Sequence, residues 1–410
     1  MTSEGWLIII LSLLVFDFVF DKVLDFLNTR HWKDEIPAEL EGYYDQEKYR
    51  KAREYHKANG QLGLISSLFS FALIIAIILS GFFGVLDEYL SARIENQFLL
   101  VAAFFGVFFI ATDILSLPFG LYKIFKIEEK FGFNKMTLKT FILDKVKGYL
   151  LGAVIGGGIL WVVLYLIDLF PDGFWLYLWV VVAGFMLIVN MFYADVILPI
   201  FNKLKPLEEG PLRDKIQQYA DKVGYSLKNI YVIDGSKRST KANAFFSGLG
   251  PRKTIALYDT LVEKHTEEEL VAILAHEVGH FKKKHILVSM IISVLQIGVF
   301  IFLFEQFIKI PELSMALGGE GASFHIGIIA FGILLSPINL VLGILMSMLS
   351  RKNEFEADRF AKETYNGAPL IEGLKKLSVD NLSNLHPHPF YVFVHYSHPP
   401  LLKRIAALKR

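Results

Sequence analysis

The chain has 410 residues, of which 53% are hydrophobic, with 36 Phe and a mean hydropathy of +0.44; so much apolar surface points to lipid rather than to a set of soluble domains. A formal charge of +1, with no basic cluster interleaved with aromatics, argues against a nucleic-acid partner. The absence of Cys excludes disulfides, thiolate ligands and a Cys nucleophile, so any metal must be held by His and carboxylate.

In chain order, apolar runs long enough to cross roughly 30 Å of hydrocarbon lie near Trp6 to Phe26, Leu62 to Leu86, Phe98 to Pro118, Tyr149 to Ile167, Phe174 to Tyr193, Ile286 to Phe307 and His325 to Leu349. The expectation is a mainly α, polytopic membrane protein with seven transmembrane helices. Only Glu4 precedes the first run, which lacks the basic start and cleavage site of a signal peptide and is expected to be retained. Lys and Arg number seven from Arg30 to Gly60, one from Asp87 to Asn96, seven from Leu121 to Gly148, none from Asp168 to Gly173 and one from Ile308 to Ser323. That alternation predicts the N-terminus outside and the C-terminus cytoplasmic. The division expected is residues 1–200 for spans one to five with their cytoplasmic loops, 201–285 for a cytoplasmic α+β metalloprotease insert, 286–349 for spans six and seven, and 350–410 for a cytoplasmic C-terminal segment. Within the insert, Leu212, Ile216, Tyr219 and Val223 recur at helical spacing, and strand-like stretches follow at Ile230 to Ile233 and Thr254 to Tyr258.

Thr266 and Glu269 form a capping box, opening an amphipathic helix that runs into His276-Glu-Val-Gly-His280. Spacing of i and i+4 puts His276 and His280 on one face, where two imidazoles reach one Zn²⁺. Glu277 lies beside them and supplies the general base that activates the attacking water and then protonates the leaving amine. HExxH arises by chance in on the order of one chain in a hundred of this length, so a third ligand is the test. Glu354 and Asp358, again i and i+4, are the candidates: one carboxylate can bind the metal while the other accepts a hydrogen bond from a ligand histidine and fixes its tautomer. His280 precedes span six by about six residues and Glu354 follows span seven by about five, so both are expected within roughly 10 Å of one membrane boundary.

With those residues in place the chain resembles the type I CAAX prenyl endopeptidases, the integral membrane zinc proteases that process yeast a-factor and human prelamin A. The segments that carry the resemblance are HEVGH, NEFEAD (353–358), LPFGLYKIFKIEEKFGFNK (117–135), ILPIFNKLKPLEEG (197–210), NAFFSG (243–248) and YSHPPLLKR (396–404). The resemblance implies an intramembrane chamber, one zinc per chain with Glu354 as its third ligand and Asp358 behind a ligand histidine, His398 and Arg404 near the metal with His398 stabilising the oxyanion, and Asn243 positioning substrate. It also implies a peptide or protein substrate, a prenylated CaaX C-terminus losing its last three residues. No nucleotide or nucleic acid is expected. The membrane is the plasma or inner membrane in a bacterium and the endoplasmic reticulum in a eukaryote.

Rival readings are a quality-control protease of the HtpX-like type and, in another class, a transporter or an inactive membrane scaffold; the odd span count and single insert argue against a transporter. Asp113, deep in span three, is expected to have a buried polar partner, and Gly156, Gly157 and Gly158 to permit close helix packing. The strand from Lys253 to Tyr258 is a candidate to pair with an extended substrate. His285, His325, His386, His388 and His395 are read as bystanders.

Overall fold

The computed structural model describes residues 1–225, 227, 229–247 and 254–410. Gly248 and Lys253, the last residue of the NAFFSG stretch and the first of the expected substrate-pairing strand, lie outside them. Among the described residues five helices are long and apolar enough to cross a membrane: Gln46–Leu79, Gln97–Glu128, Leu138–Leu169, Phe174–Phe201 and His285–Ile308. A sixth candidate is the pair Phe324–Leu334 and Ser336–Thr364, bent by 51°. The expected run from Leu62 to Leu86 is broken, because Gly81 takes a left-handed conformation (φ +67) and a separate helix, Phe82–Ser91, follows it. The expected straight span from His325 to Leu349 is likewise two helices meeting at Leu335, just before Pro337, whose ring cannot continue the preceding ladder. The first helix is Ser3–Arg30, with Thr2 as its N-cap.

The membrane helices pack at their ends. At one end Ile10, Ile78, Phe83, Phe104, Leu317 and Ile326 form one cluster, continued by Phe174, Phe304 and Phe331 in a second. Glu305 there accepts hydrogen bonds from the backbone N–H of Gly173 (2.8 Å) and Trp175 (3.0 Å), satisfying the first turn of the helix at Phe174 from a neighbouring span. At the other end Leu40, Tyr49, Tyr55, Phe131, Phe133 and Leu385 form a third cluster. Among the described residues none is buried between Tyr55 and Ile78, between Phe104 and Ile127, or between Leu178 and Ala194. Gly148, Tyr149 and Leu150 are all exposed, and at 100° per residue they cover more than half of their helix's circumference. A Cβ added at Gly156, Gly157 or Gly158 would meet nothing within 4 Å, so these glycines face open space rather than a packed neighbour, contrary to the sequence expectation. Asp113 does find its partner: Lys145 Nζ lies 2.6 Å away on the next long helix, and Tyr149 adds a hydroxyl donor.

Between Phe201 and His285 the chain builds a four-stranded sheet: β1 (Leu204–Pro206), β2 (Asn229–Ile233), β3 (Ala244–Ser247) and β4 (Thr254–Tyr258), in the order β1-β2-β4-β3. β2 and β4 are parallel and the outer pairings antiparallel. β4 therefore has both edges occupied and cannot accept a further strand; among the described residues the outer strands are β1 and β3, and β3 follows Asn243. Helix Pro211–Lys222 and the capped helix Glu267–Lys282 pack on a core of Ile216, Tyr219, Ile255, Leu257, Leu270 and Leu274.

Candidate metal centre

The capping box holds: Thr266 Oγ1 accepts from the Glu269 N–H and Glu269 accepts in return from Thr266, which fixes where the helix begins and hence where its faces point. One face then carries His276 and His280 with their Nε2 atoms 3.1 Å apart. Glu354 arrives from the C-terminal half of Ser336–Thr364, with Oε1 3.2 Å from His280 Nε2 and Oε2 3.5 Å from His276 Nε2. The approach depends on Gly279, where an added Cβ would lie 3.1 Å from Ala357 Cα and 3.2 Å from the Ala357 carbonyl oxygen. Overpacking of this kind costs about 1–3 kcal/mol; relieved by displacing the Glu354 helix, it corresponds to metal binding roughly 5–150-fold weaker. A Gly279→Val variant is therefore expected to lose metal to a chelator that the wild type resists, as measured by metal content after equilibrium dialysis.

His276 Nδ1 sits 2.9 Å from Asp358 Oδ1, closer than the Arg404 guanidinium at 3.4 Å, so it donates its proton to the carboxylate and leaves Nε2 as a bare lone pair. Arg404 comes from the C-terminal helix Leu401–Lys409 and grips Asp358 in a bidentate pair, Nε to Oδ2 at 2.9 Å and Nη2 to Oδ1 at 2.6 Å, while Nη1 lies 3.2 Å from Glu354 Oε2. Burial opposes charge on this arginine, but Asp358, Glu354 and Glu277 more than outweigh it and raise its pKa above the ordinary value.

The donor set fits a metal. Tetrahedral bonds of 2.0–2.1 Å put ligand atoms roughly 3.3–3.4 Å apart; the two imidazole nitrogens are 3.1 Å apart, with one Glu354 oxygen 3.2 Å from His280 and the other 3.5 Å from His276. These atoms form the one group of three or more potential metal-ligating side chains found among the described residues. Glu354 Oε2 is buried with no hydrogen bond of its own, although it is ion-paired with Arg404 Nη1 at 3.2 Å. Beside the cluster opens a cavity of about 480 Å³ with Glu277, His398 and Asn243 in its wall and an apolar side formed by Ile273, Leu370 and Leu374. His398 stands 65% exposed, its Nε2 3.4 Å from Glu354 Oε1 and its Nδ1 2.9 Å from Ser397 Oγ. Asn243 is exposed and its side chain accepts from the Ala244 N–H at 2.9 Å.

All eight residues singled out in the sequence thus lie at or beside one centre. Two more were missed. Arg351 donates to the carbonyls of Val392 (3.0 Å), Phe393 (3.2 Å) and Tyr396, closing the C-terminus of helix Pro389–His395 and tying the segment that presents His398 to the helix that presents Glu354. His285 is buried against His280 rather than a bystander, with the two Nδ1 atoms 3.1 Å apart. His325 is also engaged, but at the opposite end, against Asp87 (2.8 Å) and the ring of Phe104.

Comparison with known proteins agrees with this centre and its membrane frame. Residues 25–203 match the family described as CAAX prenyl protease N-terminal, five membrane helices, and residues 206–410 match peptidase family M48. The chain is 33% identical to CAAX prenyl protease 1 of Saccharomyces cerevisiae, covering 98% of this chain and 95% of that protein. It is 33% identical to the CAAX prenyl protease 1 homolog of Homo sapiens, covering 91% and 88% respectively. The crystal structure of S. mikatae Ste24p superposes with a TM-score of 0.93 at 32% identity, over 99% of both chains. A buried His-His-Glu cluster on a multi-pass helical frame, matched over almost its whole length, means that the chain belongs to peptidase family M48 and is a membrane metalloendopeptidase.

Proposed function

We propose that this protein is a zinc endopeptidase that releases the C-terminal tripeptide from prenylated CaaX proteins, using His276, His280 and Glu354 as ligands and Glu277 as general base. The observation that carries the reading is the convergence of His276, His280 and Glu354, with ligand atoms within 4.8 Å of one another, beside a cavity whose wall includes the Glu277 carboxylate. Zinc is favoured over harder cations by the two imidazole nitrogens. When bound it supplies Lewis acidity, polarising the scissile carbonyl and making water a nucleophile near neutral pH. Glu277 takes the proton from the attacking water and returns it to the departing amine. His398, oriented by Ser397 and exposed to the cavity, donates to the oxygen that gains charge. Asp358 holds His276 in the tautomer that ligation needs, and Arg404 holds Asp358 and Glu354. Asn243 and the free edge of β3 position an extended substrate backbone, with main-chain hydrogen bonds giving affinity; this replaces β4, whose edges are both taken.

The remaining expectations about the membrane belong to the same proposal. Helix Ser3–Arg30 spans about 42 Å at 1.5 Å per residue and exposes Ile8, Val15, Phe16 and Val19 along its length. Counted with the bent pair it makes seven spans. The unburied middles of helices Gln46–Leu79, Gln97–Glu128 and Phe174–Phe201 support a chamber inside the bundle that would shelter a prenyl chain. The basic loops support a cytoplasmic site and C-terminus, in the plasma or inner membrane of a bacterium or the endoplasmic reticulum of a eukaryote, with the segments 1–200, 201–285, 286–349 and 350–410 as its divisions.

Cleavage of a farnesylated CaaX peptide and its unmodified counterpart by purified, detergent-solubilised protein tests the reading. Preference for the farnesylated peptide by tenfold or more in kcat/KM is expected, equivalent to about 1.4 kcal/mol of binding used in the transition state. Equal rates would instead describe a protease of membrane or misfolded proteins.

A further inference from the structure

The two ligand histidines are not held alike. His276 gives its Nδ1 proton straight to Asp358 (2.9 Å). His280 has no carboxylate at its Nδ1; it has His285, whose own Nε2 lies 3.1 Å from Glu356 Oε2. A carboxylate can only accept, so the His285 proton sits on Nε2 and its Nδ1 becomes an acceptor. His280 must then donate through Nδ1, and its Nε2 is left as a lone pair directed at His276 Nε2 and Glu354 Oε1.

We infer that His285, itself fixed by Glu356, is a positioning residue that sets the tautomer and ring orientation of His280, a two-step equivalent of what Asp358 does for His276. The geometry depends on a feature of the backbone. The HEVGH helix ends at Lys282, Lys284 takes a left-handed conformation (φ +61), and the next helix starts at His285. That reversal swings a residue five positions after His280 back against it, with ring centroids 5.2 Å apart. A non-Gly residue held at positive φ is the kind of local cost that a fold retains where it fixes a functional contact. Glu354, Glu356 and Asp358 then act from one helix: one toward the cation, one behind each histidine.

This inference rests on His280 being a ligand, and the test separates the two. Zinc-loaded full-length protein in detergent is titrated with a chelator, comparing wild type with His280→Ala, His285→Phe, His285→Gln and Glu356→Leu. Loss of an outer partner typically weakens metal binding about 10–100-fold. His285→Phe should therefore release zinc at about 10–100-fold lower chelator concentration and Glu356→Leu should shift in the same direction. His285→Gln, whose side-chain carbonyl can accept from His280, should recover most of the difference. A role in folding alone would not distinguish Gln from Phe in this way, and the visible spectrum of the cobalt-substituted protein should change in the Phe variant and return toward wild type in the Gln variant. If His285→Phe and Glu356→Leu hold zinc as wild type does while His280→Ala releases it, the inference is overturned and the ligand assignment stands. If His280→Ala also holds zinc unchanged, the ligand assignment falls, and this inference with it.

Discussion

Glu277→Gln is expected to lower kcat by about 10²–10⁴-fold, the range over which a positioned general base contributes, with one zinc still bound per chain. The substitution keeps size and shape, so the helix, its capping box and the facing Ala357 are undisturbed. His276, His280 and Glu354 keep their mutual spacing because none of them contacts residue 277 through its carboxylate. What disappears is the only proton acceptor among the eight assigned residues that lines the cavity without an ion-pair or hydrogen-bond partner of its own. Because substrate contacts the rest of the wall, KM should change far less than kcat. Metal analysis alongside initial rates checks both halves; a variant retaining more than a tenth of wild-type turnover is incompatible with the assigned role.

Arg404→Met should be the most damaging change to stability near the site. It leaves Asp358, 1% exposed, and Glu354, 4% exposed, without the guanidinium that bridges them. Breaking a buried pair by removing one partner costs about 3–5 kcal/mol, because an uncompensated charge stays behind. The cation at the ligand cluster also neutralises Glu354, so the fall in unfolding temperature should be larger for metal-stripped than for metal-loaded protein. Arg404→Lys should recover only a minor part, since a single ammonium cannot make the bidentate contact with Asp358 and reach Glu354 at once. Thermal unfolding in detergent, with and without zinc, gives the four values needed; equal losses in the two metal states would show that Arg404 serves only the helix docking.

Much of the centre was legible along the chain because helix periodicity is a local rule. Once Thr266 and Glu269 fix the first turn, the positions of His276 and His280 follow by counting, and the same count places Glu354 and Asp358 on one face. Composition alone determined a membrane protein, and the absence of Cys restricted the ligands to the residue types that were found. Asn243, His398 and Arg404 came from resemblance, since no local pattern marks them.

The tertiary structure decided what depends on long-range contact or on backbone sign. Left-handed turns at Gly81 and Lys284 broke an expected span and returned His285 to His280, and a positive φ on Lys has no signature in residue order. Which strand keeps a free edge depends on the sheet order, and β4, which precedes the metal helix in the chain, proved to be interior while β3 is not. Arg351 and Arg404 find carbonyls and carboxylates 41 or more residues away, pairings that spacing cannot specify because they are set by which helices pack together. A sequence fixes the faces of each element through local geometry; only burial, by bringing those faces into contact, selects which polar groups must satisfy one another.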